Sequence, residues 1–447
     1  MRAALAIGLW IVASAAVAEV ELVEVAHRVN AAEALRVRCA SDGAVWLEAG
    51  GRALRRAPGG TRFEPARRAA FPASADAEPA TTAPVRDRLM WTEGLRSRHV
   101  YGARGALAWY GRAATGVSVP DGQRWRDLLT DRYVRDADVD RAGAFWALTD
   151  AGLFSGPLGG GEPARAVEVP REVPGNALDG AFLKDGALHV FGPAGLHRLD
   201  GEAWTALIEG PVLDARLTPR GDLAALTATE LWSWPGPRRE PLAVPYARAF
   251  ALDAAERLHI AAATELRTVE RHATAVSSVR LSAAPLALTV APGALALALT
   301  GPEGGLLVLH DAVAEPQRIE VSARCFHAEP GRLLIGTDEG LASLEGDRLH
   351  WYFHRPGLSV TAVTAVGPLH VLATSAGVLA LDGPAVAARL PLEAHVTALV
   401  PEGDGIWAAT ADQGLYRLRL LQPPAAPAPV TQPPPPDHPA PPVRPDR

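Results

Sequence analysis

Apolar positions along the chain fall in short runs that alternate with polar residues, and turn residues separate the runs. The last copy of this pattern, VPEGDGIWAATADQGLYRL at residues 400–418, predicts three strands joined by two tight turns. We assign the first turn to Asp404-Gly405, because an Asp-Gly pair between apolar runs favours a two-residue hairpin. GAFWALTDAGLF and GRLLIGTDEGLASLEG repeat the pattern without the apolar stripe of a helix. The chain is therefore predicted to be all-β.

A Gly-Leu step at the second turn recurs along the chain at an interval of about 37 residues. Self-similarity at this period indicates a solenoid, an array or a propeller, and four short antiparallel strands per copy favour a propeller blade. We predict a single β-propeller of four-stranded blades, seven to ten in number. The anchor residues are Leu54, Val117, Leu153, Leu196, Leu231, Leu266, Leu306, Leu341, Val378 and Leu415.

The two ends of the repeat region predict how the propeller closes. The last copy stops after its third strand, at Leu421, and prolines follow, which cannot donate the hydrogen bonds of a fourth strand. The segment VELVEV at residues 20–25 alternates apolar and acidic residues and belongs to no copy. We expect this segment to supply the missing outer strand of the last blade, which would remove an exposed sheet edge.

Three segments are expected to lie outside the blades. Residues 1–18 form an apolar run with small residues around Ala18, as in a cleaved secretory signal, and the run is too short to span a bilayer. The protein is therefore expected in the periplasm or outside the cell, with no transmembrane helix after cleavage. Residues 56–87 predict a long surface loop, with a degenerate extra blade as the alternative. Residues 422–447 predict a proline-rich disordered tail.

Composition narrows the range of partners. The net charge is −6 and the pI is about 6.1, so nothing favours nucleic acid as a partner. The two cysteines, Cys39 and Cys325, exclude an extensive disulfide framework. They fall in the innermost strands of their copies, where one bridge or two buried free thiols are both compatible with the sequence.

The final copies carry a resemblance to a known family. GIWAATADQGLYRL and RLLIGTDEGLASLEG resemble the two-component regulator propeller repeat, in which an apolar-Trp pair is followed by a Gly-Thr-x-x-Gly-Leu turn. The matching positions include Gly405, Trp407, Gly414, Thr337 and Leu341. The resemblance implies a β-propeller with a ligand-sensing or interaction role. It covers the repeats and does not extend to the transmembrane helix and kinase of such sensors.

A position in the innermost strand, seven residues before the first hairpin glycine, offers a candidate site. The aspartates there predict one acidic arc at the mouth of the central channel, with arginines at its borders and apolar residues opposite. Such a mouth suits a small-molecule ligand or a divalent cation, and no other cofactor is predicted; the alternative is that these groups hydrogen-bond neighbouring blades. The candidate ligand-binding residues are Asp136, Asp179, Asp214, Arg36, Arg98 and Arg324.

Two other groups of residues permit a functional or a packing interpretation. His189, His259 and His370 occupy the repeat's Trp position, where we expect core histidines in preference to metal ligands. Trp351, Tyr352 and Phe353 lie in a predicted outer strand. If exposed, these rings would stack on a carbohydrate or a partner protein, and if buried they would pack between blades.

Two classes of function remain. The sequence contains no His-Glu-x-x-His, Cys-x-x-Cys, Gly-x-Ser-x-Gly or phosphate-loop motif. We therefore expect an exported, non-catalytic propeller that binds a protein partner, a carbohydrate or a small molecule, as a sensor or scaffold of the cell envelope. The alternative is a propeller enzyme of the lyase or lactonase type that acts at the channel mouth.

Overall fold

The computed structural model describes residues 20–40, 42–72, 96–102, 105–111, 116–121, 124–140, 142–157, 164–234, 242–243, 246–255, 257–269, 276–291, 294–300, 305–310, 316–346 and 348–421. The predicted signal segment and the proline-rich tail lie outside these ranges. Within them the chain is all-β, with 3-10 helices at Ala31–Glu33 and Arg68–Ala70. Its strands form ten four-stranded antiparallel sheets, which we number in chain order.

The first strand, β1 (Glu21–Arg28), belongs to the last sheet. Sheets 1 to 3 follow it in the chain. Sheet 1 is β2 (Arg36–Cys39), β3 (Val45–Ala49), β4 (Arg52–Arg56) and β5 (Glu64–Ala66). Sheet 2 is β6 (Arg96–Gly102), β7 (Gly105–Gly111), β8 (Val117–Asp121) and β9 (Arg124–Leu128). Sheet 3 is β10 (Val134–Val139), β11 (Ala144–Thr149), β12 (Gly152–Pro157) and β13 (Arg165–Ala166).

Sheets 4 to 7 follow the same meander. Sheet 4 is β14 (Gly180–Lys184), β15 (Ala187–Gly192), β16 (Gly195–Asp200) and β17 (Ala203–Glu209). Sheet 5 is β18 (Val212–Leu217), β19 (Leu223–Thr227), β20 (Glu230–Trp234) and β21 (Leu242–Ala243). Sheet 6 is β22 (Ala247–Leu252), β23 (Leu258–Ala262), β24 (Glu265–Val269) and β25 (Val276–Arg280). Sheet 7 is β26 (Pro285–Ala291), β27 (Ala294–Leu299), β28 (Gly305–His310) and β29 (Gln317–Ile319).

Sheets 8 to 10 end the described chain. Sheet 8 is β30 (Ala323–Glu329), β31 (Arg332–Thr337), β32 (Gly340–Glu345) and β33 (Arg348–His354). Sheet 9 is β34 (Val360–Val366), β35 (Leu369–Thr374), β36 (Gly377–Asp382) and β37 (Ala385–Leu390). Sheet 10 is β38 (Val396–Glu402), β39 (Gly405–Thr410) and β40 (Leu415–Leu421), and β1 pairs with β40 as its outer strand.

The turn before each third strand explains the Thr-x-x-Gly-Leu signature. The Thr337 hydroxyl donates to the carbonyl oxygen of Gly340 over 3.0 Å and accepts the Glu339 N–H, so it closes the turn from both sides. Gly340 has φ +121°, a conformation that disfavours any side chain, and an added Cβ would collide with the Phe353 carbonyl oxygen of the outer strand. Glycine therefore permits the outer strand to approach closely.

The glycine before the third strand of sheet 10 shows that β1 occupies the position of an outer strand. A Cβ added at Gly195 or Gly377 would also collide with a carbonyl oxygen of the outer strand in its own sheet. At Gly414 in sheet 10, the atom in that place is the carbonyl oxygen of Arg28, which belongs to β1. The segment at residues 20–25 thus lies in the outer strand of the last sheet, as its alternating side chains predicted. Leu22 is buried against sheets 9 and 10.

Sheets 4 to 10 pack against one another in a cycle. Their innermost strands contact in the order β14, β18, β22, β26, β30, β34 and β38, and β38 contacts β14 again. A cluster of buried apolar residues fills the space between each pair of neighbours, including the pair formed by sheets 10 and 4. Burial of these faces is the main source of stability in such an arrangement. We refer to these seven sheets as the cycle.

Sheets 1 to 3 form a second group, which we call the lobe. Sheet 3 packs against sheet 1 through one apolar cluster and against sheet 2 through another. The sequence predicted a single propeller of seven to ten blades, whereas contacts among the described residues divide the ten sheets into a cycle of seven and a lobe of three. Part of the loop predicted at residues 56–87 is structured, because β5 completes sheet 1 at Glu64–Ala66.

Two antiparallel segments, residues 29–34 and 170–176, form a neck between the lobe and the cycle. Asn30 and Asn176 are both buried in it. The Asn30 N–H donates to Asn176 Oδ1 over 2.8 Å, and Asn176 Nδ2 donates back to the Asn30 carbonyl oxygen over 2.9 Å. The Asn176 side chain thus binds both main-chain polar groups of Asn30, which fixes the relative position of the two segments.

Both cysteines are free thiols in different groups of sheets, Cys39 in the lobe and Cys325 in the cycle. Burial raises the pKa of Cys325 to about 12 and also raises the pKa of Cys39. Of the two alternatives that the sequence left open, the structure therefore has the free, unreactive thiols.

Candidate functional site

Six of the seven innermost strands of the cycle have a β-bulge near their first residue. In sheets 5 to 10 the pairing register slips by one residue between the first and third positions of the strand. Sheet 4 has Asp179 at the same place, immediately before the first ladder pair, Gly180 with Phe191. A bulge turns its extra side chain out of the ladder. The seven residues at this position, which we call the inner rim, are Asp179, Leu213, Arg248, Leu286, Arg324, Thr361 and Thr397.

The inner rim lies at the start of strands that contact one another in order, so its side chains gather at one end of the cycle. The Thr361 hydroxyl donates to the Val396 carbonyl oxygen of the next inner strand over 2.7 Å. Leu213 and Leu286 keep 39% and 45% of their surface exposed. The inner rim therefore presents side chains to solvent as well as joining neighbouring sheets.

Two of the sequence-predicted residues, Asp179 and Arg324, belong to the inner rim. Asp214 is the next residue along its strand from the rim position of sheet 5. The other three, Asp136, Arg36 and Arg98, lie in the lobe. The candidate position was defined by its distance from the first hairpin glycine. Because the first hairpin has two residues in some sheets and four in others, the same distance reaches different places in the innermost strands.

Asp136 holds sheet 3 to sheet 1. Its side chain is buried, with the whole residue 2% exposed, and its Oδ2 accepts the Val37 N–H over 3.0 Å and Arg38 Nη1 over 2.8 Å. A neighbouring carboxylate, Asp138, accepts the Cys39 N–H over 2.7 Å, and burial raises its pKa. Asp136 thus hydrogen-bonds an adjacent sheet, which is the structural role that the sequence offered as the alternative to ligand binding.

Arg36 and Arg98 belong to sheets 1 and 2 of the lobe, whereas Asp179 and Asp214 belong to the innermost strands of sheets 4 and 5. Arg36 is exposed and lies 3.4 Å from Glu48 of its own sheet. Arg98 is part of the backbone of β6 in sheet 2, and its side chain lies outside the described part of the structure. The acidic arc predicted from three aspartates is therefore not assembled, and the cycle contributes Asp179 and Asp214 to it.

Asp214 is engaged by a neighbour on its own strand. Its Oδ2 lies 2.5 Å from Arg216 Nη2 and also accepts the Phe250 N–H over 3.4 Å. Arg216 in turn donates to the Leu288 carbonyl oxygen over 2.9 Å, and its guanidinium lies over the Phe250 ring. This pair therefore links the inner strands of sheets 5, 6 and 7.

Arg324 is engaged in a similar way. Its Nε and Nη2 donate to the two carboxylate oxygens of Asp338 over 2.5 and 3.0 Å, the bidentate geometry that suits arginine best. Ser359 from the next sheet adds a third hydrogen bond to Asp338 over 3.0 Å. The hydrogen bonds from Arg324 hold the pKa of Asp338 below its usual value. This cluster stabilises the junction of sheets 8 and 9.

The remaining two charges of the inner rim, Asp179 and Arg248, have no such partners. Among the described residues, neither side chain makes a hydrogen bond or an ion pair. Asp179 is exposed as a whole residue, and partial burial of its carboxyl raises its pKa. Exposed charges that have no partner in the fold are available to pair with charged groups of a ligand.

Tyr246 is a candidate that the sequence reasoning did not identify. It precedes β22, and one residue separates it from Arg248 along the chain. Its φ of +65° is strained for a residue with a side chain, its carbonyl oxygen accepts the Ala263 N–H over 3.2 Å, and the residue is 80% exposed. An aromatic side chain with no packing of its own is a signal of interaction that no local sequence pattern contains.

The aromatic cluster of β33 does not form one stacking surface. Trp351 is 42% exposed, with its ring 4.5 Å from the His354 ring. Tyr352 donates to or accepts from His370 Nδ1 over 3.0 Å, and Phe353 packs into the core between sheets 8 and 9. Of the three rings predicted to stack on a sugar or a partner, Trp351 lies at the surface.

The three histidines at the repeat's Trp position are buried, as the sequence predicts. His370 bridges two sheets, because its Nε2 lies 2.8 Å from Glu329 while its Nδ1 contacts Tyr352. The described residues contain no group of three or more His, Cys, Asp or Glu side chains arranged to hold a metal ion. In the same residues, no helix combines the length and the apolar character that a membrane crossing requires.

Comparison with known proteins supports the fold. No family model and no curated protein matches the chain, so membership of the two-component regulator propeller family stays a prediction. Among solved structures the chain is similar to PorZ, a surface component of the type-IX secretion system of Porphyromonas gingivalis, at 13% identity and a TM-score of 0.51. The match covers 86% of this chain and 68% of PorZ. At this identity the likeness indicates a propeller-like fold and nothing about function.

Two further solved structures resemble the chain less closely. The extracellular domain of BT4673 from B. thetaiotaomicron, described as part of a two-component system, matches with 10% identity, a TM-score of 0.46, and coverage of 86% of this chain and 64% of that chain. The WD40 domain of Neurospora crassa Pan2 matches with 10% identity, a TM-score of 0.44, and coverage of 54% and 89%. The present chain thus spans a little under two thirds of the BT4673 structure.

Proposed function

We propose that the protein is an exported, non-catalytic β-propeller of the cell envelope that binds a ligand or a protein partner at its inner rim. In this proposal sheets 4 to 10 are the seven blades of one closed ring, β1 fastens the last blade, and the lobe is an insertion between β1 and the first blade. The succession of inner-strand contacts and the outer-strand position of β1 support this arrangement.

The observation that carries the binding proposal is the unmatched pair of charges at the inner rim. The other charged groups at this end of the strands, such as Arg324 and Asp214, have partners at short distances. Asp179 and Arg248 have none among the described residues, and partial burial disfavours the charge of Asp179. Two exposed, opposite charges on the same rim, neither paired within the described fold, offer complementary contacts to a charged ligand, so they favour binding.

We do not extend the proposal to a divalent cation or to catalysis. The expectation of a cation depended on several carboxylates in one arc, whereas the inner rim has Asp179 alone. The alternative of a lyase or lactonase stays a prediction of the sequence, and product analysis of any compound that binds in the experiment below would test it.

The test is a thermal-shift screen of the full chain against panels of short peptides and oligosaccharides. We expect at least one compound to raise the midpoint of unfolding, and the rise to disappear in an Asp179→Asn, Arg248→Ser variant. The matched control is Arg348→Ser, which removes an exposed arginine from the outer strand β33. A rise that persists unchanged in the inner-rim variant, or no rise with any compound, would contradict binding at this site.

A further inference from the structure

The most informative surface is the arc of the inner rim formed by sheets 4 to 7. In chain order its residues are Asp179, Leu213, Arg248 and Leu286, one from each of four consecutive sheets. The arc therefore presents an acidic, an apolar, a basic and an apolar side chain in turn. Tyr246 stands beside Arg248 at the start of the same strand, 80% exposed.

We propose that this arc binds a polypeptide segment that carries, in matching order, a basic, an apolar, an acidic and an apolar residue. The inference rests on the proposed function and names the ligand class for the same site. It depends on complementarity: each of the two unpartnered charges of the inner rim would acquire an opposite charge, and each exposed leucine an apolar partner.

The exposed leucines distinguish a peptide from a sugar. Leu213 and Leu286 flank Arg248 with exposed aliphatic surface. Contact with an apolar side chain of a peptide would bury this surface and stabilise the complex, whereas a sugar stacks on aromatic rings, which leucine lacks. The Arg248 guanidinium matches a carboxylate in bidentate geometry, and the two leucines would exclude water from that pair. A carbohydrate would use Tyr246 and leave both leucines exposed.

The strained backbone at Tyr246 supports the same surface. Its φ is +65°, and Ala263, whose N–H donates to the Tyr246 carbonyl oxygen, has φ +47°. The equivalent carbonyl oxygens of Ala284, Ser359 and His395 accept the same bond without a positive φ, so the strain is particular to this copy. Strain of this kind persists where the side chain has a task outside the fold, and tyrosine is a frequent anchor at protein interfaces.

The test is selection of displayed random peptides on the full chain, followed by fluorescence polarisation with the selected peptide. We expect the enriched peptides to share an acidic residue flanked by apolar ones, with a basic residue toward one side. Arg248→Glu should weaken binding at least about tenfold, and Tyr246→Ala by a smaller factor. A peptide with Lys in place of its acidic residue should recover binding to Arg248→Glu. Arg348→Glu, on the outer strand, is the control that should leave binding unchanged.

The outcomes separate this inference from the function on which it rests. Selected peptides that lack the acidic residue, or that bind Arg248→Glu and the unmodified chain equally, would overturn the inference. An oligosaccharide whose binding requires Asp179 and Arg248, with no peptide enriched, would also overturn it while the inner rim remains a binding site. If neither class binds, both proposals fail. All substituted side chains are exposed, so we expect each variant to fold. Thermal unfolding of each variant checks this.

Discussion

The Thr397 hydroxyl donates a hydrogen bond of 2.7 Å to the carbonyl oxygen of Leu178, a residue 219 positions earlier in the chain. The Thr361 hydroxyl makes the same bond, also of 2.7 Å, to Val396 of the following sheet. Sheet 10 therefore meets sheet 4 in the way that sheet 9 meets sheet 10, although the chain connects only the second pair directly.

Substitution of Thr397 by Val should lower the free energy of unfolding by about 1 kcal/mol, because one hydrogen bond is lost and the Leu178 carbonyl oxygen loses a partner. Thr361→Val should have an effect of similar size, since its bond is equivalent. Chemical denaturation of both variants measures the difference. If Thr361→Val is destabilising and Thr397→Val is not, the contact between sheets 10 and 4 is absent in solution.

Replacement of Asp136 by Ala should destabilise the lobe by about 3 kcal/mol or more, because Arg38 and the Val37 N–H would stay buried without their acceptor. Hydrogen exchange of sheets 1 and 3 should report the loss. Asp131→Ala is the control, since that carboxylate is 71% exposed. Unchanged exchange in the lobe together with a loss of ligand binding would instead restore Asp136 to the binding site.

Gly340→Ala should be more destabilising than Gly346→Ala, although both glycines have positive φ and belong to sheet 8. At Gly346 nothing lies within 4 Å of the added Cβ, so we expect a cost of about 1 kcal/mol from backbone strain alone. At Gly340 the Cβ would collide with the Phe353 carbonyl oxygen and displace β33. Equal midpoints of denaturation for the two variants would show that the outer strand is not held closely.

Asp179→Asn should raise the stability of the protein at neutral pH. Burial raises the folded-state pKa of Asp179 above its unfolded value, so the ionised carboxylate opposes folding at every pH above the folded-state pKa. The opposition vanishes below the unfolded-state pKa of about 3.9, where the carboxyl is protonated in both states. The advantage of the variant should therefore fall as the pH is lowered through this range. Denaturation curves at several pH values test the trend, and an equal or lower stability of the variant at neutral pH would contradict it.

Much of the fold follows from local sequence. The anchor residues mark the start of the third strand in all ten sheets, and in seven of them the preceding residue is a glycine with positive φ, a requirement that is local to the copy. Ala53, Glu230 and Glu265 take the place of that glycine in the other three. The outer position of β1 was predictable for the same reason, since the last copy lacks a fourth strand and residues 20–25 alternate. The hairpin turn was displaced by one residue: Glu402 pairs with Gly405, and Gly403 with φ +60° is the first turn residue.

The site was less predictable, because it depends on which copies are neighbours. Nothing local separates Asp136, which holds the lobe together, from Asp179, which stands in the inner rim. The division into lobe and cycle depends on pairs such as Asn30 and Asn176, whose sequence separation hides their contact. Tyr246 stands out in three dimensions through its backbone angle and exposure, and neither follows from the residues around it.

The position of β1 has a consequence for how the molecule is made. This strand is the first of the described strands to be synthesised, and its partner β40 is the last. Contacts of such long sequence separation form slowly. Newly made chains should therefore pass through an intermediate in which residues 21–28 wait unpaired. An added peptide copied from that strand should trap these intermediates during refolding, because it would pair with β40 before residues 21–28 of the same chain reach it.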